Sequence, residues 1–173
     1  SPSTGTLNEY LDLEQLSIGY MQAGASALSV LTDTHFFGGS ENDLMAARRF
    51  NYCPILRKDF IIDPYQVIEA KSIGSDCVLL IAAILSPTQC RMLAQLAQEI
   101  GLEVLLEVHS KKEIDSHCNP YLNLIGVNNR DLDTFQTRID VSLELAKHLP
   151  TEIPRISESG ISEAGQIDQL KRK

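Results

Sequence analysis

Four short apolar runs in this 173-residue chain finish on groups that can move protons or hold hydroxyls. Lys58 closes Ile55-Leu56-Arg57-Lys58, and Glu107 lies near the end of Val104-Leu105-Leu106-Glu107-Val108. Asn128 closes Leu124-Ile125-Gly126-Val127-Asn128, and Glu158 closes Arg155-Ile156-Ser157-Glu158. A lysine and carboxylates in one partly dry cleft make an acid–base set, because burial disfavours their charged forms while mutual attraction favours them. Alone, each would read as a solvated strand end, since charged side chains are mostly exposed. Four on separate runs argue for a common site.

Ser159-Gly160 follows Glu158 and precedes a helical pattern. Its backbone N–H groups and hydroxyl suit an anion near a helix N-terminus, or simply a strand-to-helix turn. Ser1-Pro2-Ser3-Thr4-Gly5 is a second small-residue loop. Phe36-Phe37-Gly38-Gly39 reads equally as an aromatic flap or a packed loop. His109 and the adjacent His117-Cys118 lack a third ligand at metal spacing, so no metal is expected and both histidines read as surface or structural.

The elements that must position these groups recur as strand then helix. Runs at 27–32, 55–58, 77–82, 104–108, 124–128 and 155–158 are rich in Val, Ile and Leu, and each is followed by a helical pattern. Runs apolar on both faces predict a parallel sheet covered on both sides. Asp63-Pro64-Tyr65-Gln66, Ser86-Pro87-Thr88-Gln89 and Ser110-Lys111-Lys112-Glu113 read as capping boxes, with Asp140 and Ser162 as further N-caps. Arg57 and Lys58 are neighbours, so alternation sends one toward the helices and the other toward the site. No Gly-x-Gly-x-x-Gly follows a strand, which disfavours a dinucleotide fold and leaves a (β/α)8 TIM barrel, whose site lies at the carboxyl ends of the strands. About six βα units make a single partial barrel domain over 1–173, with the first and eighth strands expected to be absent. The chain opens on Ser1 without an initiator Met and stops at Lys173 within a helical pattern, so both ends are expected to be cut.

Composition narrows the partners. With 43% hydrophobic and 22% charged residues the chain is an ordinary globular sequence. A net charge of −8 speaks against nucleic acid, which calls for clustered Lys and Arg. The apolar run from Val78 to Leu85 is too short to span a bilayer, and no signal pattern opens the chain. The four cysteines have no paired spacing and are expected to be reduced, in a cytoplasmic protein.

Taken in order and spacing, Leu28-Ser29-Val30-Leu31-Thr32-Asp33 with Phe36-Phe37-Gly38-Gly39-Ser40, Pro54-Ile55-Leu56-Arg57-Lys58-Asp59-Phe60, Gly126-Val127-Asn128-Asn129-Arg130-Asp131-Leu132 and Ser157-Glu158-Ser159-Gly160-Ile161-Ser162 resemble indole-3-glycerol phosphate synthases. The resemblance implies a cofactor-free, metal-free lyase of tryptophan biosynthesis. Such an enzyme converts 1-(2-carboxyphenylamino)-1-deoxyribulose 5-phosphate into indole-3-glycerol phosphate, carbon dioxide and water. It implies Lys58 as general acid, Glu107 as acid–base glutamate, and Asn128 and Glu158 as orienting groups. It further implies substrate contacts from Ser1, Ser3, Phe60, Leu79, Arg130, Ser159 and Gly160. The partner implied is a small phosphorylated molecule, with no nucleic acid or membrane. The full enzyme is expected to be monomeric, whereas the bare chain would associate through open sheet edges. The family's first-strand Glu and Lys and its eighth-strand Gly-Ser turn are not in this sequence, and Thr4 stands where many members have Lys. Two alternatives are a non-catalytic barrel fragment and the related phosphoribosylanthranilate isomerase, whose Cys/Asp pair finds no match at a strand end here.

Overall fold

The computed structural model describes residues 12–131 and 134–171. Six strands alternate with helices: β1 (Leu28–Leu31), β2 (Ile55–Lys58), β3 (Cys77–Ile81), β4 (Glu103–Val108), β5 (Leu124–Asn128) and β6 (Arg155–Glu158). Their order in the sheet follows the chain, β1-β2-β3-β4-β5-β6. A doubly wound sheet reverses its order at a switch point, whereas a barrel sheet places each strand beside its predecessor. The βα repeat is therefore that of a (β/α)8 barrel. β2, β5 and β6 have the bounds expected from sequence, while β1 and β3 are shorter and β4 starts one residue earlier.

The chain divides into two compact units, one running to Leu79 and including Leu96–Glu103, the other comprising Leu80–Gln95 and Val104 onward. In the first, β1 and β2 pair in parallel with Val30 opposite Arg57 and Leu31 opposite Lys58. Helices α1 (Leu13–Gln22), α2 (Thr34–Phe37), α3 (Glu41–Phe50) and α4 (Pro64–Ser72) belong to this unit. Leu28, Leu44, Ala47, Ile55 and Ile73 pack into one buried cluster, so one face of β1 and β2 is sealed by α3 and the end of α4. Asp63 and Gln66 form the capping box expected at α4.

Arg57 lies on that sealed face, its side chain 4% exposed. Its Nη2 donates to Asp59 at 3.0 Å, Glu69 at 2.9 Å and Glu41 at 3.4 Å, its Nη1 to the Gln66 carbonyl at 3.1 Å, and its Nε to Thr32 Oγ1 at 3.1 Å. A buried guanidinium is tolerated only when its donors are satisfied in this way. Arg57 is thus the member of the Arg57-Lys58 pair committed to the helix side.

The second unit contains β5 and β6, nearly all of β4, most of α5 (Pro87–Glu99), and α6 (Lys111–His117), α7 (Asp140–Leu145) and α8 (Ala164–Leu170). Ser86 and Gln89 exchange side-chain and backbone bonds at the start of α5, as a capping box requires. At α6 Ser110 caps Glu113 N–H, but the Glu113 carboxylate returns to the N–H of His109 at 2.5 Å rather than to Ser110. Two expected caps are corrected. Asp140 is the first residue of α7, which has no side-chain cap, and Glu163 rather than Ser162 caps α8. The reason at α8 is that Gln166 Oε1 accepts from both Ser162 N–H at 2.9 Å and Glu163 N–H at 3.1 Å, so the helix winds from the later residue.

None of the four cysteines forms a disulfide among the described residues. Burial pushes the Cys90 thiol up to about 11 and raises that of Cys118 as well, which leaves both as weakly nucleophilic thiols. No helix among the described residues is long and apolar enough to cross a membrane.

Candidate active site

In the first unit the strand alternation that buries Ile55 and Arg57 turns Leu56 and Lys58 to the opposite face. Leu56 is in register with Cys77 and Arg57 with Val78, so Leu79 falls on the Lys58 side, where it is 1% exposed. Asp59 is pinned between Thr32 Oγ1 at 2.7 Å and Arg57, and its other oxygen accepts the Phe60 N–H at 2.8 Å. The residues on either side of Lys58 are therefore fixed by buried bonds, which restricts where its flexible stem can start. Phe60 stacks on Phe37 with centroids 5.3 Å apart and meets Phe36 edge-on at 5.4 Å. Phe36 and Phe37, in α2, thus both meet the Phe60 ring, although Phe36 stays 70% exposed, and they widen the apolar surface that Phe60 presents. Gly39 makes this possible: a Cβ there would lie 2.2 Å from the Leu31 carbonyl oxygen.

In the second unit the registers align the polar groups. Glu107 is opposite Gly126, Gly126 is opposite Ile156, and Asn128 is opposite Glu158. Paired residues of parallel strands share a face, so Glu107, Asn128 and Glu158 all project from one side. Gly126 provides the space between them, because a Cβ there would lie 2.0 Å from Glu158 Oε1. The Glu158 carboxylate therefore overlies the residue that is the register partner of Glu107. Glu107 is 2% and Asn128 8% exposed. Asn128 Oδ1 accepts the Arg130 N–H at 3.0 Å, which turns the chain as it leaves β5 and directs the Asn128 amide as a donor.

The turn after β6 has an unusual backbone. Ser159 at φ 68° and Gly160 at φ 73° are consecutive left-handed residues, and a non-glycine residue there costs about 1 kcal/mol or more. Asn129, 2% exposed, holds the turn in place. Its Nδ2 donates to Ser157 Oγ at 2.9 Å and to the Ser159 carbonyl at 3.1 Å, and its Oδ1 accepts the Ser142 N–H at 3.1 Å. Gly160 cannot carry a side chain, since a Cβ would meet Thr137 Cγ2 at 2.2 Å.

Sequence reasoning missed Asn129 and Gly126 as parts of this arrangement. A polar residue inside an apolar strand-end run signalled Asn129, but nothing local tells which of two adjacent asparagines turns inward to the loop. His117 is structural as expected, with its Nε2 2.9 Å from the Leu85 carbonyl. No set of three His, Cys, Asp or Glu among the described residues is placed to hold a metal. Ser1 and Ser3 lie outside the described residues.

A crystal structure of KGPDC from Streptococcus mutans, determined as a ligand complex, superimposes with a TM-score of 0.63 over 92% of this chain and 74% of that one. At 12% identity that likeness shows the fold alone. The indole-3-glycerol phosphate synthase of Bacteroides thetaiotaomicron is 48% identical over 99% of this chain, and that of Bordetella pertussis 48% over 93%. The chain spans 65% and 62% of those two relatives' lengths. The model of the indole-3-glycerol phosphate synthase family matches residues 1–173. With strand ends carrying Lys58, Glu107, Asn128 and Glu158 and a match along its whole length, the chain belongs to the indole-3-glycerol phosphate synthase family.

Proposed function

We propose that the protein at its full length closes the indole ring of indole-3-glycerol phosphate, with decarboxylation and dehydration of 1-(2-carboxyphenylamino)-1-deoxyribulose 5-phosphate. The observation that carries this reading is the common face of Glu107, Asn128 and Glu158, two carboxylates and a carboxamide on three successive strands. When the anthranilate ring carbon attacks the ribulose carbonyl, charge grows on that oxygen and must be protonated. Lys58, at the end of β2 and opposite in phase to the buried Arg57, is the general acid. Loss of carbon dioxide restores electrons to the ring. A proton must then leave carbon and a hydroxyl must leave as water, and Glu107 serves this acid–base step while Asn128 and Glu158 orient the hydroxyls.

Phe60 and Leu79 supply apolar contact to the anthranilate ring, and Ser159 with Gly160 offers the substrate phosphate backbone N–H groups. Arg130 acts at the rim, and Ser1 and Ser3 form part of the mouth. The reaction as written needs no cofactor. A cytoplasmic, monomeric enzyme acting on a small phosphorylated substrate completes the reading.

The test is steady-state formation of indole-3-glycerol phosphate by the full-length protein. Lys58→Met should lower kcat about 10²-fold or more with a smaller change in KM. Glu107→Gln should slow the reaction more than Glu107→Asp. A Lys58→Met variant with near-normal kcat would overturn the assignment.

A further inference from the structure

We infer that His109 is a positioning residue for Glu107, a role that rests on the function proposed above. His109 is two residues beyond Glu107, the spacing that returns an extended chain to the same side. Its Nε2 is 3.5 Å from Glu107 Oε1, and its Nδ1 is 3.8 Å from Glu113 Oε2. The backbone N–H of His109 donates to that same Glu113 oxygen at 2.5 Å. Glu113 sits in the first turn of α6, whose Ser110 cap fixes it. The backbone of His109 is therefore tied to a helix start, and Nε2 of its ring faces the proposed acid–base group.

Among the described residues neither ring nitrogen has a hydrogen-bond partner at ordinary distance, and both atoms are shut off from solvent. A buried polar atom left unmatched has lost its hydration with nothing in exchange. Both gaps exceed a hydrogen bond by only a few tenths of an ångström, and such bonds at catalytic sites commonly tighten when substrate binds. Both facing groups are carboxylates, which only accept when ionised. The ring can therefore serve Glu107 only by donating from Nε2. A donor at Nε2 fixes which oxygen of Glu107 carries the proton during the acid–base step, the task that a third group performs for the base of other proton-transfer sites. Among the described residues, the charged groups within ion-pair reach of His109 are Glu107 and Glu113.

The variants separate the two ring nitrogens. His109→Gln places an amide donor near Nε2, His109→Asn places one near Nδ1, and His109→Leu places neither. With the full-length protein, kcat should fall about 10-fold or more in His109→Leu and His109→Asn, and should largely recover in His109→Gln, with KM and the melting temperature little changed throughout. Glu107→Gln is run beside them. If it abolishes turnover while His109→Leu keeps wild-type kcat, the His109 role is wrong and the function stands. If His109→Gln falls as far as His109→Leu, a donor at Nε2 is not what the site uses, and the role is again refuted. If Glu107→Gln itself turns over normally, the acid–base assignment fails first and takes this inference with it.

Discussion

Gly126→Ala puts one methyl group between two strands at the point where the proposed site is tightest. The added Cβ would lie 2.0 Å from Glu158 Oε1, 3.1 Å from its Cδ and 3.3 Å from Leu105 Cδ1. Ordinary van der Waals contact begins at about 3.4 Å, so the nearest carboxylate oxygen of Glu158 must retreat by about 1.4 Å. Because the obstructing atoms are the far end of a flexible side chain, the fold absorbs the change cheaply, within about 1 kcal/mol. Catalysis does not, since a displacement near an ångström in an orienting group costs up to about 10²-fold in rate. The variant is therefore expected to melt near the wild-type temperature while kcat falls about 10- to 100-fold, or roughly 1.4–2.7 kcal/mol in the barrier. Glu158→Ala supplies the control. In that background there is no carboxylate to displace, so Gly126→Ala should add almost nothing, and the two losses should be strongly non-additive. Equal losses from Gly126→Ala in both backgrounds, or an unchanged kcat in the single variant, would refute the view that this glycine exists to clear space for Glu158.

Two further outcomes concern the buried cluster behind Lys58. Arg57→Met strips the counter-charge from Asp59, Glu69 and Glu41; because Glu69 and Glu41 keep 23% and 40% exposure, the loss should sit near the low end of the range for a broken buried pair, about 3 kcal/mol in a urea titration. Glu41 is raised above its ordinary 4.5 by burial and by its hydrogen bond with Glu69. The folded state therefore holds that proton more firmly than the unfolded chain, and stability falls as pH rises from about 4.5 toward the raised value. Glu41→Gln should remove this slope from urea midpoints measured between about pH 4 and 7, and an identical slope in both proteins would refute the assignment.

The sequence by itself determined the repeat and the strand ends. Strands apolar on both faces announce themselves as unbroken runs, because a parallel sheet buries both sides. This made β5 legible to the residue, and the bounds of β2 and β6 were legible too although charged residues interrupt their apolar character. Helix starts were legible where an N-cap and a returning Gln stand three apart, as at Asp63 and Ser86. They were not legible at Glu163, an uncommon N-cap residue whose backbone N–H is held by the Gln166 side chain.

Alternation required that Arg57 and Lys58 part company, but not which went inward. The tertiary structure decided it, because Thr32, Glu41 and Glu69 come from three other segments to satisfy the guanidinium. Register had the same character. That Gly126 must stay bare under Glu158, 32 residues away, follows from the pairing of β5 with β6. The placement of the His109 ring nitrogens between Glu107 and Glu113 follows from the path that Ser110 imposes on α6. Sequence patterns report what each residue asks of its own element. Which distant groups answer is set only when the strands pair and the helices close over them.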